Sequence, residues 1–259
     1  MFHLVKRYLD AIDVEGNSWI VYFAHLKIGP IRLSFSSVLF ADQNGEATEE
    51  SSLQKVSLPE IGPTMKIQNG ALQIEGTWTC IQQGIEKDLW QDERGKILNW
   101  HCHHPSGDVQ LTFKGKRFDA KGYTETLTLP FSPLKLPLER LRWGRFISGD
   151  LSIIWIQWEG KHPLNFVWVN GVEITDAIHS DSGFTFDSGS RKIEFLNPII
   201  IRNGKLGTVI QKYPLLKYLF PKNLLRSEEL KLKSETIYSS QNEMPVRGWS
   251  LYETVQILN

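Results

Sequence analysis

The chain has 259 residues, of which 41% are hydrophobic and 22% charged, and its 29 Lys and Arg cancel its 29 Asp and Glu. That balance argues against a nucleic-acid binder, which needs a basic excess, and no uninterrupted apolar run reaches the length of an integral membrane segment. The length suits one large all-β domain or two domains of ordinary size.

The N-terminal stretch "MFHLVKRYLDAIDVEGNSW" has charges where a secretory signal would have its apolar core. Cys80 and Cys102 are too few for a disulfide framework, although a single bridge stays open. The expectation is a reduced, cytoplasmic protein. Nine Trp, thirteen Phe and seven Tyr make the chain aromatic. This fits a β core and equally the lining of a hydrophobic cavity.

Within residues 2–12, Phe2, Val5, Leu9 and Ile12 fall on one helical face, opposite Lys6, Arg7 and Asp10, which predicts a short docking helix. From Trp19 the period changes to two. "SWIVYFAHLKIGPIRLSFSSVLFA" reads as two strands about Gly29-Pro30, and "MKIQNGALQIEGTW" as a hairpin turning at Asn69-Gly70. "ILNWHCHHPSGDVQLTFKG" predicts another pair, turning between Pro105 and Asp108. "LSIIWIQWEGKHPLNFVWVNGVEI" gives two strong strands and an Asn170-Gly171 turn. Further turns are expected at Ser188-Gly189 and Asn203-Gly204. In "KYPLLKYLFPKNLLRSEELKLKS" Pro214 suits a first helical position, Leu215, Leu216, Leu219 and Phe220 share a face, and Pro221 ends the helix. "GWSLYETVQIL" is the last strand. Short strands with closely spaced turns describe an all-β antiparallel barrel or sandwich, not a Rossmann-type domain.

"GYTETLTL" and "GWSLYETVQI" echo one another as Gly-aromatic segments followed by Glu-Thr. If each half of the chain is a barrel, these are equivalent last strands, and the proline stretch 130–137 links the halves. Chance similarity of two strands is the alternative.

Candidate chemistry is sparse. "HCHHP" at 101–105 places His101 and His103 on one strand face and Cys102 and His104 on the other, too few ligands per face for a metal site. No GxSxG, Walker or GxGxxG motif is present. Tyr123 and Glu125 share a strand face, and Arg140, Arg142 and Arg145 surround Trp143 in "ERLRWGRF". Gly144 permits a bulge or a close backbone approach. Two uses of the arginines follow. They pair with Glu125, Glu139 or Asp150 as structural struts, or they bind the oxygenated end of a ligand. In the second case Glu125 is the proton donor or acceptor and Tyr123 assists.

At these residues the sequence resembles a known family. "WHCHHP…VQLTFKGKRFDAKGYTETLTLPFSPLKLPLERLRWGRF", the connector "YLFPKNLL" and the closing "GWSLYETV" are similar to the lipocalin-like, calycin-related group of carotenoid 1,2-hydratases, AttH-type proteins and fungal Diels–Alderase relatives. The resemblance implies two tandem lipocalin-like β-barrels with a few short helices, here expected over 1–127 and 128–259. It also implies a hydrophobic small-molecule partner and no nucleotide or metal cofactor. The hydratases carry a Tyr-Asp-His-Asn-Trp-Gly-like segment where this chain has "GYTETLTL", so carotenoid hydration itself is not implied.

The expected function is binding of a lipid- or terpenoid-like molecule and its cofactor-free hydration, isomerisation or cyclisation. Glu125 and Tyr123 would be catalytic. Arg140, Arg142, Trp143, Arg145, Trp155 and Trp158 would bind the ligand. The alternatives are a lipocalin-type carrier and a structural or interaction protein.

Overall fold

A computed structural model describes residues 2–210, 213, 220–241 and 243–258. The chain divides into two compact units, Met1–Leu136 and Pro137–Asn259. The expected division at 127/128 falls inside the strand Lys116–Leu129.

The first unit is built from β1 (Phe2–Ile12), β2 (Ser18–Ile28), β3 (Ile31–Ala41), β4 (Ala47–Ser52), β5 (Thr64–Asn69), β6 (Ile74–Cys80), β7 (Ile85–Gln91), β8 (Ile97–Phe113) and β9 (Lys116–Leu129). All pairings are antiparallel, in the order β4-β3-β2-β1-β9-β8-β6-β5, with β7 added on β8. The sheet curls until β4 meets the 3₁₀ turn Gly70–Leu72 that follows β5. Its inner face is filled by Leu9, Ala11, Trp19, Phe23, Trp78 and Phe113 among others.

The helix expected over 2–12 is instead strand β1, paired to β2 on one side and β9 on the other. Its helical spacing of apolar residues is incidental, because both faces of its second half are buried. Leu9 and Ala11 enter the core while Tyr8 and Asp10 are covered on the opposite face. Tertiary pairing overrides the local pattern. The turn expected at 105–108 is also absent, for β8 runs straight through it. Pro105 sits where the β8–β9 register shifts, so its missing N–H costs no ladder bond.

The second unit contains β10 (Arg140–Ser148), β11 (Leu151–Glu159), β12 (Leu164–Val169), β13 (Val172–Ile174), β14 (Ile178–Ser180), β15 (Gly183–Phe186), β16 (Arg191–Lys205), α1 (Lys222–Arg226), β17 (Glu228–Ser240) and β18 (Val246–Gln256). Their order is β13-β12-β11-β10-β18-β17-β16-β15-β14. Strands from both ends of this sheet, through Val167, Phe184 and Phe186, share one core with Phe146 and Trp155. Asn170 and Gly171 both take positive φ, as the expected tight turn between β12 and β13 requires. Asn203-Gly204 is no turn and lies inside β16. The helix expected over 214–220 lies, except for Phe220, outside the described residues, and Pro221 is the N-cap of α1. Among the described residues no helix is long and apolar enough to cross a membrane.

The sequence echo has a structural counterpart. β9 closes the first unit against its first strand β1, and β18 closes the second against its first strand β10. The echoed glycines work alike. A Cβ on Gly122 would stand 2.2 Å from the Asp10 carbonyl oxygen, and one on Gly248 2.4 Å from that of Ile147. Gly122 also leaves room for Trp78, whose Nε1–H donates to the Asp10 carbonyl at 2.7 Å. Gly122→Ala is therefore expected to destabilise the protein by about 1–3 kcal/mol through overpacking, read as a lower denaturant midpoint at unchanged m.

Candidate functional site

β9 lies between β1 and β8, and register decides what its side chains meet. Leu9 and Ala11 enter the core, so Tyr8 and Asp10 stand on the opposite face. Glu125 is opposite Tyr8 on one side and Cys102 on the other, and Tyr123 is opposite Asp10. Trp100 lies on this face too, two residues before Cys102.

The result is a buried polar cluster. Glu125 Oε2 accepts the Tyr123 hydroxyl at 2.7 Å and the Trp100 Nε1–H. The Tyr8 hydroxyl donates to Asp10 Oδ2 at 3.0 Å, and its ring packs edge-on against Tyr123 at 5.9 Å. Among the described residues no cation lies within ion-pair distance of Glu125.

Burial raises the Glu125 carboxyl from its ordinary value, against the opposing influence of Lys6 and of the two hydrogen bonds. The same desolvation pushes the Tyr123 hydroxyl and the Cys102 thiol well up, so both stay protonated. The arrangement is that of a buried carboxyl group fixed by two neutral donors, its protonated form favoured by burial.

A raised pKa has a stability consequence of definite sign. The folded state keeps a proton that the unfolded chain has released, so the stabilisation is fully present below the ordinary glutamate value. It is lost as pH rises through the folded value. Glu125→Gln lacks this loss. The variant is expected to gain stability relative to wild type as pH rises from 4 to 8 in a series of urea titrations, and a constant difference would rule out a raised Glu125 pKa.

The second unit separates the other expected residues by face. Arg140 and Arg142 share a face with Gly144, and Trp143 and Arg145 take the other. Arg142 donates to Gln157 Oε1 at 2.9 Å and to Glu159, and Arg140 reaches Glu159 at 3.4 Å. The β10–β11 register puts Arg140 opposite Glu159 and Arg142 opposite Gln157. The strut partner of these two arginines is therefore Glu159, rather than the expected Glu125, Glu139 or Asp150. Arg145 is fully buried and donates to the Trp249 carbonyl at 3.3 Å. Trp155 belongs to the core, 5.0 Å from Phe184, and the close approach allowed by Gly144 is to its ring. Trp158 is buried opposite Leu141, on the face of Trp143.

The rings of His101 and His103 lie 4.0 Å apart and tilted to one another, and His103 Nε2 lies 2.7 Å from Thr126 Oγ1. Among the described residues no group of three or more His, Cys, Asp or Glu is placed to hold a metal. Cys80 and Cys102 are free thiols.

Tyr8, Asp10, Trp100 and Cys102 were not among the residues expected at the site. The helix expected over 2–12 concealed the first two. Alternation along a strand 97–113 would have put Trp100 and Cys102 on one face, but only the β8–β9 register brings that face to Glu125.

No family model matches the chain, and no curated protein matches it in sequence. In structure it is similar to CghA, also solved with Sch210972, at a TM-score of 0.65 and 11% identity, covering 99% of this chain and 89% of that one. Kievitone hydratase from Nectria haematococca follows at 0.57 and 10%, covering 98% and 88%. An AttH candidate from Nitrosomonas europaea stands at 0.57 and 9%, covering 97% and 92%. The fold is the tandem lipocalin-like one. It runs over nearly the whole of this chain and most of each neighbour, at identities too low to transfer residues.

Proposed function

We propose that this protein binds a hydrophobic, lipid- or terpenoid-like small molecule and converts it by cofactor-free acid–base chemistry at Glu125. The observation that carries this reading is the buried carboxyl of Glu125, held by Tyr123 and Trp100 and raised by burial toward the neutral acid. The fold shared with kievitone hydratase and CghA supports it.

The protonated carboxyl of Glu125 donates its proton to one carbon of a C=C bond, and the adjacent carbon becomes electron-deficient. In hydration, water adds there and returns a proton to the carboxylate. In isomerisation, a neighbouring C–H supplies that proton. In cyclisation, a second double bond of the same molecule attacks and then loses the proton. Each route restores Glu125 and balances without a cofactor. Tyr123 and Trp100 stabilise the carboxylate formed after donation, which is where their bonds to Oε2 strengthen. Arg140 and Arg142, tied to Glu159, are struts of the second unit.

The test is native mass spectrometry of freshly purified protein, solvent extraction of what it carries, and re-incubation of that compound with apo protein. A stoichiometric hydrophobic compound that returns hydrated or rearranged supports the reading. One that returns unchanged makes the protein a carrier. A protein that takes up neither it nor a panel of terpenoids is a scaffold.

A further inference from the structure

The inner face of the first unit holds a cationic feature that Glu125 chemistry does not use. Arg7 stands opposite Thr126 of β9 and opposite Phe23 of β2, a core residue. Its neighbour Tyr8 stands opposite Glu125. Adjacent strand residues point to opposite faces, so Arg7 belongs to the interior and Glu125 does not.

Around Arg7 the interior turns polar. His101 is also opposite Thr126, and His103 bonds to that threonine. Thr124, fully buried and opposite Leu9, has an Oγ1 with no partner among the described residues. Nε and Nη1 of Arg7 are buried and likewise meet no acceptor there. Buried guanidinium N–H donors without an acceptor are costly unless an anion completes them, although Arg7 as a whole is half-buried. Burial is the sole influence lowering the Arg7 pKa, with no carboxylate opposing it. His103 is pushed down to about 3 by burial, with His101, Arg7 and His104 adding to it, so it stays uncharged beside Arg7.

From Arg7 the same face of β1 continues through Val5 and His3, opposite His25 and Lys27. Val5 and His3 line a cavity of about 760 Å³, within the size range of small-molecule pockets. Its wall includes Lys27, Arg32 and Lys55 and no carboxylate, with Val5, Leu53 and Leu58 among its apolar residues. The cations of the wall attract an anion, its apolar residues hold an apolar chain, and the guanidinium of Arg7 matches one negative charge.

We propose that the interior of the first unit is a second binding site, separate from the Glu125 face, for an organic monocarboxylate with an apolar tail. Its carboxylate takes the unmatched donors of Arg7, and its tail lies along Val5, Leu53 and Leu58.

Titration calorimetry with decanoate, decanol and decyl phosphate tests this. One decanoate per chain is expected to bind at least about tenfold more tightly than decanol. Arg7→Met is expected to abolish that preference and leave decanol binding unchanged, while Glu125→Gln leaves both affinities as in wild type. The Glu125→Gln arm keeps a failure here distinct from a failure of the proposed chemistry. No decanoate binding, equal affinity for decanol, or an unaltered Arg7→Met would overturn the site. Tighter binding of decyl phosphate would overturn the monocarboxylate assignment. If Arg7→Met does not fold, wild type labelled with a decanoate carrying a photoreactive diazirine near its tail gives the answer. Labelling within residues 53–58, which include Leu53, Lys55 and Leu58 of the cavity wall, is expected, and labelling confined to other segments would overturn the proposal.

Discussion

On a compound that the wild-type protein converts, Glu125→Gln is expected to cut turnover by about 100- to 10,000-fold, the usual worth of a general acid. Glutamine has the shape of glutamate and keeps an oxygen for Tyr123 and Trp100, but it has no proton to give. Substrate capture, read by native mass spectrometry, is expected to survive the change. Tyr123→Phe sharpens the test. The Tyr123 hydroxyl donates to Oε2 and favours the carboxylate, so its removal raises the Glu125 pKa further. The alkaline limb of the pH–rate profile, where activity falls as Glu125 ionises, should then move to higher pH. Full activity in Glu125→Gln, or a limb that stays in place in Tyr123→Phe, would remove Glu125 from the chemistry.

The largest stability effect is expected in the second unit, at Lys231. This side chain is 2% exposed, and its ammonium bonds to Glu229 Oε1 at 3.0 Å and to Glu253 Oε2. Arg202 also reaches Glu229, at 3.1 Å. The β17 register sets Lys231 opposite Glu253 on one side and Arg202 on the other, so the network is built by strand pairing. Lys231→Ala removes the ammonium that both carboxylates share in a desolvated place. Breaking such a buried pair costs about 3–5 kcal/mol. Equilibrium denaturation should show that loss, and Lys231→Met with Glu253→Leu should recover much of it, because an apolar pair needs no counter-charge. A loss in the single variant below about 1 kcal/mol would place the pair among screened surface bridges.

Much of the fold was legible along the chain. The alternating runs from Trp19, the turns at Gly29-Pro30 and Asn170-Gly171, and the last strand all report a period of two, which is a property of neighbours in sequence. The echo of "GYTETLTL" in "GWSLYETVQI" was legible for the same reason, and it marks strands in matching positions of the two sheets. The errors share one cause. Residues 2–12, Pro105 and Asn203-Gly204 each carry a local signal that strand pairing overrides. A backbone whose hydrogen bonds are supplied by distant strands does not need its own helix or turn.

The sequence by itself determined that this is an all-β chain without a motif for nucleotide or metal chemistry, and that Tyr123 and Glu125 share a face. Only the tertiary structure decided what stands against that face. Register between β1, β9 and β8, of which β1 and β9 lie more than a hundred residues apart in the chain, put Trp100 on Glu125 and Asp10 beside Tyr123. The same register sent Arg7 to the other side. A one-residue slip would exchange the two faces, and no local pattern specifies long-range register.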